Sequence, residues 1–63
     1  MRVEIGQMWK RKNGVIVELT EMRINRGTRE FKMVPVTIPD GAKAKTSWKW
    51  DGGIKFEMEL VSV

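Results

Sequence analysis

The sequence predicts an all-β domain of five short antiparallel strands curled into a small barrel. Three observations carry that expectation. Apolar and β-branched residues alternate over short segments, glycine-centred turns separate those segments, and the two middle strands can keep their apolar residues on one side only by bending. The chain of 63 residues allows a single domain, residues 1–63. Domains this small bury only about 60% of the surface that their unfolded chain exposes, which leaves little room for elaborate sites.

The first strand is expected from Gln7 to Arg11, closed by Lys12-Asn13-Gly14, a pair-and-glycine turn in which Asn-Gly tolerates positive φ. The second runs from Val15 to about Ile24. Asn25-Arg26-Gly27-Thr28 makes the next turn, and Glu30 to Ile38 the third strand. With Asn25 to Glu30 wrapped around the turn, Ile24 pairs with Phe31 and Met22 with Met33. The same register continued pairs Leu19 with Val36 and Val17 with Ile38, whose parity places them on the opposite face. Each strand must therefore slip by one residue, near Thr20-Glu21 and near Val34-Pro35, and Pro35 suits such an irregularity because it has no N–H to donate. Paired bulges of this kind curl small sheets into barrels.

Pro39-Asp40-Gly41 opens a polar loop that reaches Lys45, with one short helical turn expected over Gly41 to Lys45. Thr46 to Trp50 then pairs with Ile54 to Val63 across Asp51-Gly52-Gly53. Ile54, Phe56, Met58 and Leu60 alternate with Lys55, Glu57 and Glu59, and Trp48 is expected in the core opposite Phe56. Five strands in this order suit an SH3-like or OB-like small barrel, SH3-like being the fold class predicted here.

Composition narrows function by exclusion. Cysteine, histidine and tyrosine are absent, which removes disulfides, thiolate nucleophiles, imidazole acid–base chemistry and any Cys- or His-ligated metal site. No phosphate loop is present, since Gly52-Gly53 lacks the spacing and the following Lys-Ser/Thr. Asp40 and Asp51 sit in turns, and Glu57 and Glu59 read as a solvated strand face. The expectation is a non-enzymatic protein with no cofactor and no metal. No apolar run reaches the ~20 residues needed to span a bilayer, and the opening residues lack the apolar core of a signal peptide. A cytoplasmic protein without a membrane partner is expected.

The formal charge of +4 is uneven. Eleven of the twelve bases and five of the eight acids fall in residues 1–50, leaving +6 there and −2 in the last thirteen residues. Two basic clusters coincide with hairpin tips: Lys10, Arg11 and Lys12 at the first, and Arg23, Arg26, Arg29 and Lys32 around the second. In the register above Arg23 faces Lys32, a like-charge pair that an anionic partner would relieve. Trp9 and Trp50, flanked by Lys10 and Lys49, are the candidates for a half-exposed aromatic surface on which bases stack while cations hold phosphates. The same residues would serve as a protein hot spot. Ordinary core packing for the tryptophans, and cations splayed into water, are the bland alternatives.

Ile5-Gly6-Gln7-Met8-Trp9 at one end and Phe56-Glu57-Met58-Glu59-Leu60-Val61 at the other resemble the ends of small SH3-like (KOW-like) barrel proteins of bacteria and their phages. The resemblance implies a barrel that binds RNA, DNA or a protein segment, including phage proteins that inhibit a host protein. The basic, glycine-punctuated core of true KOW segments is missing, so ribosomal and transcription roles do not carry over. The leading expectation is nucleic-acid binding through the two basic tips and an exposed tryptophan. The alternative is a protein-interaction module, and a homodimer that buries surplus apolar surface is a third reading.

Overall fold

A computed structural model describes residues 2–62. Its elements run β1 (Met8–Lys10), β2 (Ile16–Asn25), β3 (Thr28–Thr37), β4 (Ser47–Trp50), α1 (Asp51–Glu57) and β5 (Glu59–Ser62). The strands form one antiparallel sheet in the order β4-β3-β2-β1-β5. Five antiparallel strands agree with the expectation from sequence. Among the described residues the sheet is not closed into the expected barrel by hydrogen bonds, and β4 and β5 are its edges.

Local chemistry explains the turns. At the first, Arg11 and Val15 are joined by an N–H···O bond of 2.8 Å, Gly14 N–H donates to the Arg11 carbonyl, and Asn13 Oδ1 accepts from Val15 N–H. Only Gly14 takes positive φ there, at 91°, so this is a three-residue loop ending on a glycine bulge. At the second, Arg26 (φ 54°) and Gly27 (φ 79°) are both left-handed, which is the two-residue turn that follows the twist of paired strands.

That tight turn corrects the expected register. Asn25 pairs with Thr28, so Ile24 faces Arg29 and Met22 faces Phe31, two residues from the expected pairing. Faces survive a shift of two, because side chains alternate with a period of two. The slip in β2 occurs at Thr20, since Leu19 pairs with Met33 and Glu21 with Lys32. In β3 it falls at Val36, beside Pro35, which pairs with Val17. Pro35 rather than Val36 thus points inward, and Val36 and Ile38 stay exposed. The new register also removes the like-charge clash: Arg23 lies opposite Glu30, and Lys32 opposite Glu21.

The core is Val3, Trp9, Val15, Val17, Leu19, Phe31, Met33 and Ile54, with Ala42, Ala44, Met58 and Leu60 packed against it. Among the described residues Gln7 is the buried polar one. Its Oε1 accepts from Trp9 Nε1–H at 3.1 Å and from Glu4 N–H at 2.9 Å, while its Nε2 donates to the Arg2 carbonyl at 3.0 Å. No helix among the described residues is long and apolar enough to cross a membrane.

The largest departure lies after β4. The expected strand over 54–63 begins as helix α1, and only Glu59–Ser62 is strand; Val63 lies outside the described residues. The expected helical turn over 41–45 does not form, although a turn closes there with Ala42 N–H on the Pro39 carbonyl. In α1 the period of 3.6 puts Ile54 and Met58 on one side, with Met58 N–H bonded to the Ile54 carbonyl, and sends Phe56 outward. Two glycines in a helix are unfavourable by about 1 kcal/mol each relative to alanine. Close approach requires them here: a Cβ on Gly52 would lie 2.3 Å from Trp50 Cζ3, and one on Gly53 2.7 Å from Trp50 Nε1.

Candidate functional site

The tryptophans are placed by strand parity. Trp9 pairs with Val17 and Leu60 on the inward face and is only 4% exposed, so its expected role as a stacking surface is overturned. Trp48 and Trp50 pair with Lys32 and Glu30 on the outward face. Trp48 is therefore not the core residue expected opposite Phe56; it is half-buried beneath the Arg23 guanidinium, 4.1 Å from the ring centre. Trp50 is 54% exposed, with its ring lying over the glycines of α1. Phe56, expected inside, is 91% exposed.

Most of the second cluster is neutralised within the chain. Arg23 Nε meets Glu30 Oε1 at 2.8 Å, and Lys32 Nζ meets Glu21 Oε2 at 3.1 Å. Arg29 donates to the Val3 carbonyl at 2.6 Å, lies 3.8 Å from Glu4 and sits over Phe31. The Arg23 hydrogen bond holds the Glu30 carboxyl below its usual value; slight desolvation opposes this, and Asn25 and the charge of Arg23 reinforce it. Arg26 alone in this cluster has no carboxylate partner among the described residues.

The two tips also lie far apart. β2 joins them, and ten residues of strand at about 3.3 Å each place them roughly 30 Å from one another. The long axis of the molecule, 37 Å, accords with that arm. The two tips therefore stand at opposite ends of β2 and do not adjoin.

The first tip is different. Lys10, Arg11 and Lys12 have no carboxylate partner within ion-pair distance among the described residues. Two adjoining clefts flank them. One, of about 460 Å³, runs between Arg11 and Lys12 on one side and β4 with Glu57 and Met58 on the other, over Met33. The second, of about 340 Å³, lies among Lys10, Arg11, Lys12, Phe56 and Met58 together with two acids, Glu57 and Glu59, the latter opposite Lys10 in the β1–β5 pairing. Lys49 does not join the free cations, since its Nζ is 2.8 Å from Glu57 Oε2. That hydrogen bond, with the Lys49 charge, holds the Glu57 carboxyl below its usual value; slight desolvation opposes the shift and the Lys12 charge adds to it.

The structure therefore gathers Lys10, Arg11 and Lys12 with Phe56, Met58 and the acids Glu57 and Glu59, and separates them from Arg26. Phe56 escaped the reading of the sequence because its alternation with Ile54 and Met58 imitates a strand. No group of three or more acidic side chains that could hold a metal ion occurs among the described residues. No protein-family model, curated protein or solved structure matches the chain.

Proposed function

We propose that this protein is a binding module for single-stranded nucleic acid, engaged at the first hairpin tip. Lys10, Arg11 and Lys12 take the backbone phosphates and Phe56 stacks on a base. One observation supports this above all: the most exposed aromatic ring among the described residues, Phe56 at 91%, lines the same cleft as three cations with no carboxylate within ion-pair distance among those residues, although Glu57 and Glu59 also line it. Burying a phenylalanine is worth about 1.5–3 kcal/mol to a fold, so a ring left in water beside free cations is suited to an external partner. Bases offer a π-face to any such ring, at about 1–3 kcal/mol each.

The test is fluorescence anisotropy of a labelled single-stranded oligonucleotide. Affinity is expected to fall steeply between about 50 and 200 mM salt, because phosphate neutralisation releases counterions. Phe56→Ala, which disturbs no core contact, should weaken binding about tenfold or more. Arg23→Glu with Arg26→Glu should weaken it far less than reversing Lys10 and Lys12. Absence of binding at low salt refutes the reading.

A second reading has its own support. Among the described residues the outer edge of β5 is unpaired, and β5 carries the exposed Val61, so a partner strand adding there would bring apolar contacts with it. A protein partner of that kind would bind with little dependence on salt.

A further inference from the structure

Arg11 stands apart from the other cations of the first tip. Lys10 and Lys12 are exposed, whereas Arg11 is half-buried and reaches across the larger cleft toward β4. Its Nη2 donates to Ser47 Oγ at 3.4 Å and approaches Met33 Sδ at 3.9 Å, both long contacts to neutral acceptors. A guanidinium has five N–H donors and is always charged, and a partly desolvated one is ordinarily matched by a carboxylate. Among the described residues Arg11 has none, and Glu57, the acid lining this cleft, is held by Lys49.

We propose that Arg11, Lys12 and Ser47 form a seat for a phosphoryl group. The remaining N–H groups of Arg11 offer a fork for two oxygens. Lys12 supplies a second cation, and Ser47, whose oxygen accepts from Arg11, keeps its hydroxyl proton to donate. On a backbone phosphodiester, Arg11 and Lys12 can take the two charged oxygens and Ser47 an ester oxygen, a further acceptor that a carboxylate lacks. The cleft adjoins that of Phe56, so a phosphate seated on Arg11 lies beside the stacking ring. The seat deepens the proposed function and rests on it only for the source of the phosphoryl group, a nucleic-acid strand rather than free phosphate.

The experiment follows the Arg11 side-chain Nε–H and the Ser47 amide by NMR while inorganic phosphate, and separately acetate, is added. Phosphate is expected to shift both resonances saturably, and acetate at equal ionic strength to leave them nearly in place. Arg11→Gln should abolish the Ser47 response with the rest of the spectrum retained, and Arg11→Lys should restore part of it. Glu57→Gln, which removes a like charge from the cleft, should tighten phosphate binding about threefold at low salt. A Ser47 response that survives Arg11→Gln, an equal response to acetate, or weaker binding in Glu57→Gln overturns the seat.

With an oligonucleotide, Arg11→Gln should cost about tenfold in affinity and lower the salt slope by about one. If oligonucleotides bind and Arg11→Gln changes nothing, the seat is wrong and the proposed function stands. If phosphate seats on Arg11 and oligonucleotides do not bind, the seat stands for free phosphate and the proposed function falls.

Discussion

Replacing Gln7 by leucine keeps the volume of a buried side chain and removes its hydrogen bonds. Three groups lose a partner: Trp9 Nε1–H, the Glu4 N–H and the Arg2 carbonyl. They are not equivalent. Trp9 is buried, so its indole N–H has no water to turn to, and an unsatisfied buried donor costs about 1–3 kcal/mol. Arg2 and Glu4 are exposed residues whose backbone groups can be rehydrated, at roughly 0.5 kcal/mol each. The expected loss is about 2–4 kcal/mol, against a total stability of about 3–9 kcal/mol for a chain of this length. Urea unfolding followed by far-ultraviolet circular dichroism reads it directly. With a slope near 1 kcal/mol/M, the midpoint should fall by about 2 M or more. The same substitution made in a Trp9→Phe background should cost about 1–3 kcal/mol less, because no indole donor remains to be stranded. A midpoint within about 0.5 M of the parent, or equal costs in both backgrounds, would refute the account of Gln7 as the residue that lets a tryptophan be buried.

The glycines of α1 offer a second test. Gly52→Ala should push the Trp50 ring off the helix, shifting tryptophan emission to longer wavelength, with little net gain in stability. In a Trp50→Ala background the same change should stabilise by about 1 kcal/mol, the helix propensity of alanine over glycine, measured by urea midpoint. A third test uses pH. Glu30 and Glu57 both have carboxyls held below the ordinary 4.5, so their ion pairs contribute fully above that value and the contribution is lost as pH falls through the lowered folded values. Stability should be flat from neutral pH down to about 5 and decline below 4.5, and the decline should be shallower in a Glu30→Gln, Glu57→Gln variant. Urea midpoints across that range measure both slopes.

Strands and hairpins were legible because their determinants are local. Gly14 and Gly27 lie where positive φ is needed, and the apolar residues of β2 change parity at Thr20, where the bulge is found. An error of two residues in register left Leu19, Phe31 and Met33 inward in either pairing, but Met22, Ile24, Val36 and Ile38, expected inward, are exposed. It reversed the electrostatics, however, because Arg23 meets Lys32 in one register and Glu30 in the other. The remoteness of the two tips follows from any meander whose shared strand is ten residues long, once that length is multiplied out.

Residues 51–57 were not legible. Asp-Gly-Gly has the propensity of a turn, and Ile54-Lys55-Phe56-Glu57-Met58 has the alternation of a strand. Burial of Ile54 in the core and the packing of Trp50 over two side-chain-free residues outweigh both preferences, and neither contact can be seen from neighbours in the chain. That single helix turns Phe56 into water beside Lys10, Arg11 and Lys12, so it creates the candidate site. What the amino-acid order determined by itself is the antiparallel all-β scaffold, its bends and its basic first tip, all set by contacts within a few residues. Which cations stay unpaired and which aromatic ring stands among them was decided only when distant segments met, because pairing and exposure belong to the folded surface.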